Sequence, residues 1–429
     1  MAKQKILSPF QKFVKIESLS GLLLVIATLL ALIWSNSPFA DSYATLWDYK
    51  VGFSTEGFEL NKPLILWVND GLMAIFFFLI GLEIKREFLI GELNSPKKIG
   101  FPLVGAFGGM AIPVLCFFLL NNNPETLKGW GIPMATDIAF SLAILTALGS
   151  RIPLSLKVFL TAFAIVDDLG AVLVIAIFYS GAIKIYLLGI ALALLAFLYL
   201  LSYRGYYSKF LTICLGVVVW ILFLKAGIHP TLAGVLLAFS VPIKQKVDTS
   251  EFIESLVRIT DSIKQASILK KPILSKEQIQ QIDDLEDWTY KYQSPLQRME
   301  HNLHDWVAYL IIPVFAFANA GVVINNLESL ELNLVTTIVI SLILGKSIGI
   351  TALVLLANKV KLISIPSDIS TWNIIGVSFL AGIGFTMSIF IGGLAFAEEL
   401  AYIDSAKIGI LLGSLISAII GFIILKFKK

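Results

Sequence analysis

The chain is poor in charge, cysteine and histidine, and each shortage excludes a class of protein. Charged residues make up 15% of its 429 residues, against roughly 25% in soluble domains. The two cysteines both lie in apolar runs, so the sequence predicts no disulfide framework. The three histidines lie away from the middle of the apolar runs and indicate no metal triad, and no apolar run pairs a nucleophile with a base, so an enzyme is not expected. The net charge of +3 is too small to predict a nucleic-acid partner.

Apolar residues are abundant where charged residues are few. Hydrophobic residues make up 57% of the chain, and apolar runs of about 20 residues, long enough to cross a bilayer, recur throughout. We interpret the chain as one all-α polytopic membrane domain over residues 1–429, surrounded by lipid. The first run has a long apolar core and only a weak cleavage signal in "LIWSNSPFADSYA", so we expect an uncleaved helix rather than a signal peptide. Twelve spans are predicted, near residues 18–36, 63–83, 100–120, 131–149, 154–180, 184–202, 209–226, 228–243, 303–324, 333–357, 372–396 and 406–426.

Basic residues indicate how the spans are oriented. If the amino terminus is cytoplasmic, 26 of the 33 lysines and arginines fall on the cytoplasmic side, six fall on the other side and Lys346 lies within a span. The positive-inside rule therefore predicts that both termini are cytoplasmic. Residues 244–302 are then a cytoplasmic loop with one or two helices. Residues 45–62 alternate around a Thr-Glu-Gly turn and predict an extracytoplasmic β-hairpin, whose edge we expect to support a homodimer.

Five ionisable residues lie well inside the predicted spans, away from their ends, namely Asp70, Asp137, Asp167, Asp168 and Lys346. A charge at mid-bilayer costs about 2.5–3.5 kcal/mol on insertion scales, and such residues usually face a cavity on an ion pathway. A structural ion pair between Asp167 and Lys346 is the simpler alternative. One lysine does not neutralise three aspartates, however, so the sequence predicts that a proton or a metal cation compensates the remaining charge.

Adjacency gives Asp167 and Asp168 a specific chemistry. Neighbours on a helix point about 100° apart, so both side chains can border one cavity. Two carboxylates in a poorly solvated site cannot both stay ionised without a compensating charge. Protons and a hard cation would compete for these oxygens, and that competition is antiport in its simplest form.

Two predicted spans contain residues that interrupt helices. Pro133 lies in "WGIPMATDIAF", and glycines precede Thr386 in "SFLAGIGFTMSIFIGG". Irregular backbone at membrane depth is tolerated where it lines a cavity, and interrupted spans in the two halves of a chain are typical of inverted-repeat transporters.

A series of motifs carries a family resemblance over nearly the whole chain. The motifs are "GLEIKRE", "ATDIAF", "FLTAFAIVDDLGAV", "EHNLHDWVAYLIIPVFAFANAGV", "GKSIGI" and "GIGFTMSIFI". Together they resemble the NhaA-type sodium/proton antiporters, a family that the general description of inverted repeats itself uses as an example. The resemblance implies twelve transmembrane helices, with spans 3–5 and 10–12 related as inverted repeats. It also implies that the fourth and eleventh helices are interrupted and cross in mid-membrane.

The resemblance also implies roles for the residues of the ion site. Asp168 matches the principal cation and proton ligand. Asp167 matches the residue that exchanges partners with the intramembrane lysine, here Lys346. Asp137 and Thr136 match positions that support the site at the interrupted helices.

Further matched residues lie nearer the membrane surfaces. The family has a pH-responsive cluster at the cytoplasmic mouth, which corresponds here to Glu83, Glu87, Glu300, His301 and His304. A solvated charged rim is the alternative interpretation of these five. Asp70 and His229 match secondary positions, with a structural hydrogen-bonding role as the alternative. The segment 244–299 is longer than the connection that we expect in the family.

The sequence therefore predicts an electrogenic, pH-regulated Na⁺ or Li⁺/H⁺ antiporter of the bacterial inner membrane. It predicts no cofactor, and membrane lipid and the transported ions are the expected partners. A sodium-coupled symporter of an organic anion remains the alternative, although such a protein would be expected to have a roomier pocket lined by arginine. A channel or a membrane scaffold is a third possibility, but the sequence contains no carbonyl filter motif.

Overall fold

Helices form nearly all of the computed structural model, which describes residues 9–55, 58–91, 94, 96–266, 275–323, 330–397 and 399–427. Twelve helical segments match the predicted spans, and we number them in chain order. They are Pro9–Ser35, Leu64–Leu89, Pro96–Leu120, Pro124–Met134 with Ile138–Ala147, Leu154–Phe178, Ile185–Tyr203, Lys209–Ala226, Thr231–Ser240, Pro295–Trp306 continuing through Val307–Ile311 to Ile312–Asn319, Leu332–Lys359, Thr371–Ala381 with Phe385–Ala395, and Leu400–Phe427.

Length and composition alone identify fewer spans than twelve. Within the described residues, seven helices are long and apolar enough to cross a membrane, or up to ten if each bent pair of helices counts once. The eighth span is a ten-residue helix. The ninth begins at Pro295, well before the predicted start, because Ser294 caps it by accepting a hydrogen bond from the Gln297 amide at 3.1 Å. Hydropathy marks where this helix becomes apolar, not where it begins.

The fourth and eleventh spans are each broken near their middle. Their halves are bent by 45° and 42° respectively. Each lies between two unbroken helices, in spans 3–5 and in spans 10–12. The two breaks meet, because the Asp137 amide donates a hydrogen bond of 2.6 Å to the Ile383 carbonyl. Four helix ends therefore converge inside the protein.

Three spans also contain a single wide turn of π-helix. These turns are Trp67–Leu72, Val307–Ile311 and Ser341–Gly345, and the last ends directly before Lys346. π-turns inside α-helices are frequent at functional sites. In the tenth span the turn lies beside the third span, where a Cβ at Gly345 would lie 2.8 Å from the Pro113 Cα.

The segment after the first span forms a short helix and then a hairpin. Residues 45–48 belong to the helix Ala40–Asp48, so the strands start later than predicted, as β1 (Lys50–Thr55) and β2 (Phe58–Pro63). The strands are antiparallel, with Phe53 opposite Leu60. The predicted turn residues Glu56 and Gly57 lie outside the described residues.

The long segment 244–302 contains two helices before the ninth span begins. Thr249–Ala266 and Lys276–Tyr292 pack together, and the rings of Phe252 and Tyr292 stack at 4.2 Å. Residues 267–274 lie outside the described residues. Both helices carry many charged side chains.

Candidate ion-binding site

The two adjacent aspartates lie halfway along the fifth span, in different surroundings. Asp167 and Asp168 are 1% and 6% exposed. Asp167 Oδ2 lies 3.1 Å from Lys346 Nζ, while Asp167 Oδ1 has no hydrogen-bond partner among the described residues. No hydrogen bond or ion pair joins the Asp168 carboxylate to any residue that the structure describes. One member of the pair is therefore held by a lysine, and the other has free ligand oxygens.

Lys346 connects three spans from a fully buried position. Its ammonium donates to Asp167 Oδ2 in the fifth span and to Thr136 Oγ1 in the break of the fourth. It also lies 5.9 Å from the centre of the Phe163 ring. The Thr136 hydroxyl in turn donates to the Ala381 carbonyl at 3.0 Å, next to the break of the eleventh span. The lysine thus carries the only positive side-chain charge beside the acid pair among the described residues.

Asp137 lies at the crossing, the point where the breaks of the fourth and eleventh spans meet, and both of its carboxylate oxygens accept hydrogen bonds there. Oδ1 accepts from the Phe140 amide at 3.0 Å and caps the second half of the fourth span. Oδ2 accepts from the Thr386 amide at 3.2 Å and from the Thr386 hydroxyl at 2.6 Å. Thr386 opens the second half of the eleventh span, where the helix dipole favours a negative charge.

The balance of charge at the crossing is negative. Asp168 lies near Asp137, Asp167 and Lys346, so three carboxylates share one ammonium in a buried space. Charges buried in protein need partners. Among the described residues, no group of three or more His, Cys, Asp or Glu side chains is arranged to hold a metal ion. A cation at the pair would therefore take its other ligands from hydroxyl or carbonyl oxygens or from water.

A second group of charges lies where the end of the second span meets the start of the ninth. Arg86 Nε lies 3.0 Å from both oxygens of Glu300, and its Nη1 lies 2.7 Å from Glu87 Oε1. The charge of Glu83, one turn earlier, also acts on Arg86. Burial raises the pKa of the Glu300 carboxyl, and Arg86 opposes this shift. Sequence reasoning missed Arg86, although its position between two glutamates in "LEIKRE" was an available signal.

The structure places the two histidines of the predicted cluster in different settings. His301 is exposed and lines a groove of about 910 Å³ between the second, seventh, eighth and ninth spans, together with Lys209 and Asp305. His304 is buried. The described contacts therefore gather the three glutamates around Arg86 and place His301 along the groove.

Asp70 and His229 meet near the opposite end of the protein. Asp70 Oδ2 lies 2.7 Å from Lys62 Nζ in β2, and Asp70 Oδ1 lies 3.8 Å from His229 Nε2. His229 Nδ1 shares a hydrogen bond of 2.7 Å with the Thr231 hydroxyl. Lys62 was not predicted as a partner, because its contact with Asp70 depends on how the hairpin folds back on the second span.

Two broken helices that cross beside buried, undercompensated carboxylates define a membrane transporter of cations, not an enzyme. Comparison with known proteins agrees. Residues 11–425 match the model of the family described as Na⁺/H⁺ antiporter 1, and the chain belongs to this family.

Several curated relatives resemble the chain over its length. It is 45% identical to the Na(+)/H(+) antiporter NhaA of Oleidesulfovibrio alaskensis, across 98% of this chain and 94% of the relative. It is 44% identical to Na(+)/H(+) antiporter NhaA 1 of Saccharophagus degradans, across 98% and 91%. It is also 44% identical to the Na(+)/H(+) antiporter NhaA of Helicobacter pylori, across 96% and 93%. The predicted family and the all-helical fold are therefore confirmed.

Proposed function

We propose that the chain exports sodium or lithium in exchange for protons, and that both ions compete for Asp167 and Asp168. The observation that carries this proposal is the charge balance of the crossing. Three buried carboxylates share the single ammonium of Lys346, and the Asp168 carboxylate has no partner among the described residues. A proton or a cation must supply the missing positive charge.

Exchange follows from this competition. With no metal ion bound, protons compensate the acid pair, and an arriving cation displaces them because it needs the same oxygens. Loss of a proton from the acid pair also makes the surroundings of Lys346, which pairs with Asp167, more negative. Moving the broken-helix crossing relative to the other spans would then expose the site to one side of the membrane at a time. If exchange moves net charge, the membrane potential contributes about 2.3 kcal/mol per charge per 100 mV.

Regulation by pH is proposed for the cytoplasmic cluster. Glu83, Glu87 and Glu300 surround Arg86, and protonation of a carboxylate would remove an attraction that joins the second span to the ninth. His301 and His304, one helical turn apart on the same ninth-span helix, belong to this proposal as the other members of the predicted cluster.

Orientation and assembly complete the proposal. Both termini would be cytoplasmic in a bacterial inner membrane, which places the hairpin outside and residues 244–302 inside. Pairing of two hairpins would make a homodimer, and the exposed apolar side chains of Val51 and Phe53 support this. Protease accessibility of a carboxyl-terminal tag in inverted vesicles tests the orientation. The mass of a Phe53→Ser variant in detergent tests the dimer.

Inverted vesicles with an acid-inside pH gradient, reported by a fluorescent amine, test the exchange itself. Sodium, lithium and potassium are added in turn at several pH values. We expect sodium or lithium to restore fluorescence in the wild type and not in Asp168→Asn. Asp261→Asn, the same change on an exposed cytoplasmic helix, is the matched control and should behave as the wild type. Normal exchange by a well-inserted Asp168→Asn protein would overturn the site. No response from folded wild type at any pH would favour the symporter.

A further inference from the structure

Two buried serines link the broken spans reciprocally, beyond the contacts of the ion site. The Ser141 hydroxyl, in the second half of the fourth span, lies 2.8 Å from the Leu380 carbonyl in the first half of the eleventh. The Ser388 hydroxyl, in the second half of the eleventh span, donates at 2.7 Å to the Ile132 carbonyl in the first half of the fourth. Both serines are fully buried. The second half of each broken span thus contacts the last turn of the first half of the other broken span.

One of the two accepting carbonyls, that of Ile132, is left short of partners by the break in its helix. The last four carbonyls of a helix have no amide donor within that helix. Ile132 lies in the last turn before the fourth span becomes extended at Ala135, so its carbonyl needs an external donor. Leu380 occupies the corresponding place in the eleventh span and already accepts from the Ile383 amide at 3.1 Å. An unsatisfied buried carbonyl is costly, so the loss of the Ser388 hydroxyl would destabilise this contact.

The hydroxyl contacts lie on either side of the bond that orients Asp137. That bond joins the Asp137 amide to the Ile383 carbonyl. Asp137 lies four residues before Ser141, and Ile383 lies three residues after Leu380. The Ser141 hydroxyl also lies 2.8 Å from the Asp137 carbonyl. A shift of one break relative to the other would therefore move Asp137 away from Thr386, and Asp137 is one of the charges near Asp168.

The space around Ser388 is shaped to fit its hydroxyl. A Cβ at Gly384, one turn earlier in the break, would overlap the Ser388 hydroxyl oxygen. The Ser388 amide also donates to the Gly384 carbonyl at 2.9 Å. The absence of a side chain at position 384 thus leaves the room that the Ser388 contact occupies.

We propose that Ser141 and Ser388 form a hydroxyl clasp that holds the two breaks in register, and that both are positioning residues for cation binding at the aspartates. The clasp acts through Asp137 and does not touch the ion. The part that concerns sodium affinity rests on the proposed function, whereas the register of the breaks does not.

Amide hydrogen exchange of the purified protein tests the register without any transport. Ser141→Ala and Ser388→Ala are compared with Thr146→Ala, whose hydroxyl bonds only within its own helix, to the Leu142 carbonyl. Peptides that cover residues 135–140 and 382–388 should exchange at least about fivefold faster in either serine variant, because a lost buried hydrogen bond favours local opening. Thr146→Ala should match the wild type. Wild-type exchange in both serine variants would overturn the clasp.

Sodium titrations in inverted vesicles test the positioning role. We expect each serine variant to need about tenfold more sodium for half-maximal exchange, which corresponds to about 1.4 kcal/mol, with the maximal response largely kept. The double variant should lose less than the product of the two single effects, because either change already opens the clasp. Lower maximal exchange at unchanged half-maximal sodium would overturn the positioning role. If the serine variants exchange amide hydrogens faster but the wild type shows no response to sodium, the clasp is supported and the proposed function is refuted.

Discussion

Lys346 Nζ lies 3.1 Å from Asp167 Oδ2, and both side chains are fully buried. The tenth span thereby carries a charge into the space between the fourth and fifth spans. A buried ion pair is weak evidence for stability, because desolvation offsets most of its attraction. Its position beside Asp168, which has no comparable partner among the described residues, supports the proposal that the pair belongs to a site whose charge changes when an ion binds.

Removing the lysine should destabilise the protein more than removing the pair. Lys346→Ala leaves the buried Asp167 carboxylate without the ion pair that compensates its charge, and breaking a buried pair on one side costs about 3–5 kcal/mol. We expect a lower midpoint of thermal unfolding in detergent. The Asp167→Asn, Lys346→Met double variant should recover part of the loss, because neither remaining side chain is charged. If the double variant instead loses the sum of the two single effects, the pair does not couple the spans.

Gly382 should be essential to the crossing, whereas Gly393 on the same span should not. A Cβ at Gly382 would lie 2.5 Å from the Leu342 carbonyl oxygen and 2.8 Å from Ser417 Oγ. Because a backbone atom blocks the space, Gly382→Ala must shift the break, at a cost of about 1–3 kcal/mol. Gly393→Ala meets no atom within 4 Å and is the matched control. Thermal unfolding and vesicle exchange should both be impaired in the first variant only, and equal behaviour of the two variants would contradict the tight crossing.

The sequence predicted which residues lie where the broken spans cross better than which atoms meet there. Mid-span charges stand out because each is costly in lipid, and Pro133 and Gly382 mark the breaks by their backbone chemistry. The bond between the Asp137 amide and the Ile383 carbonyl could not be predicted, because it depends on the register of segments far apart in the chain. The same holds for the pairing of Arg86 with Glu300.

Glu300 should set part of the pH dependence of exchange. Burial raises the pKa of this carboxyl, so the neutral acid persists to a higher pH than in an exposed glutamate. The ion pair with Arg86 is therefore complete only above that raised pKa, and it is lost as the pH falls through it. If this pair regulates exchange as proposed, exchange should rise across the same interval.

Glu300→Gln removes this titration, because the amide is neutral at every pH. We expect the rising part of the pH profile of sodium exchange to become shallower in this variant. Glu286→Gln, the same change on the exposed helix Lys276–Tyr292, should leave the profile unchanged. Glu83 and Glu87 also act on Arg86, so some pH dependence should remain. An unchanged slope in Glu300→Gln would separate this pair from pH control.

The hairpin is fixed to the helices by polar contacts on both strands. Lys62 Nζ in β2 lies 2.7 Å from Asp70 Oδ2 in the second span. On β1, the Val51 carbonyl accepts from the Trp67 indole at 2.9 Å. The hairpin should therefore move with the second span as one unit.

Lys62→Met should loosen this attachment, because it removes the ammonium group that pairs with Asp70 Oδ2 and keeps only the contact of Asp70 Oδ1 with His229 among the described ion pairs. The pair is partly exposed, so the expected loss is about 1 kcal/mol, seen as faster amide hydrogen exchange over residues 58–63. Lys50→Met, an exposed lysine in β1, is the matched control and should exchange as the wild type. If hairpins also join two copies of the chain, the dimer fraction should fall in Lys62→Met alone, because a strand edge that moves is a poorer template for pairing. Equal exchange in the two variants would show that the Asp70 contact does not hold the hairpin.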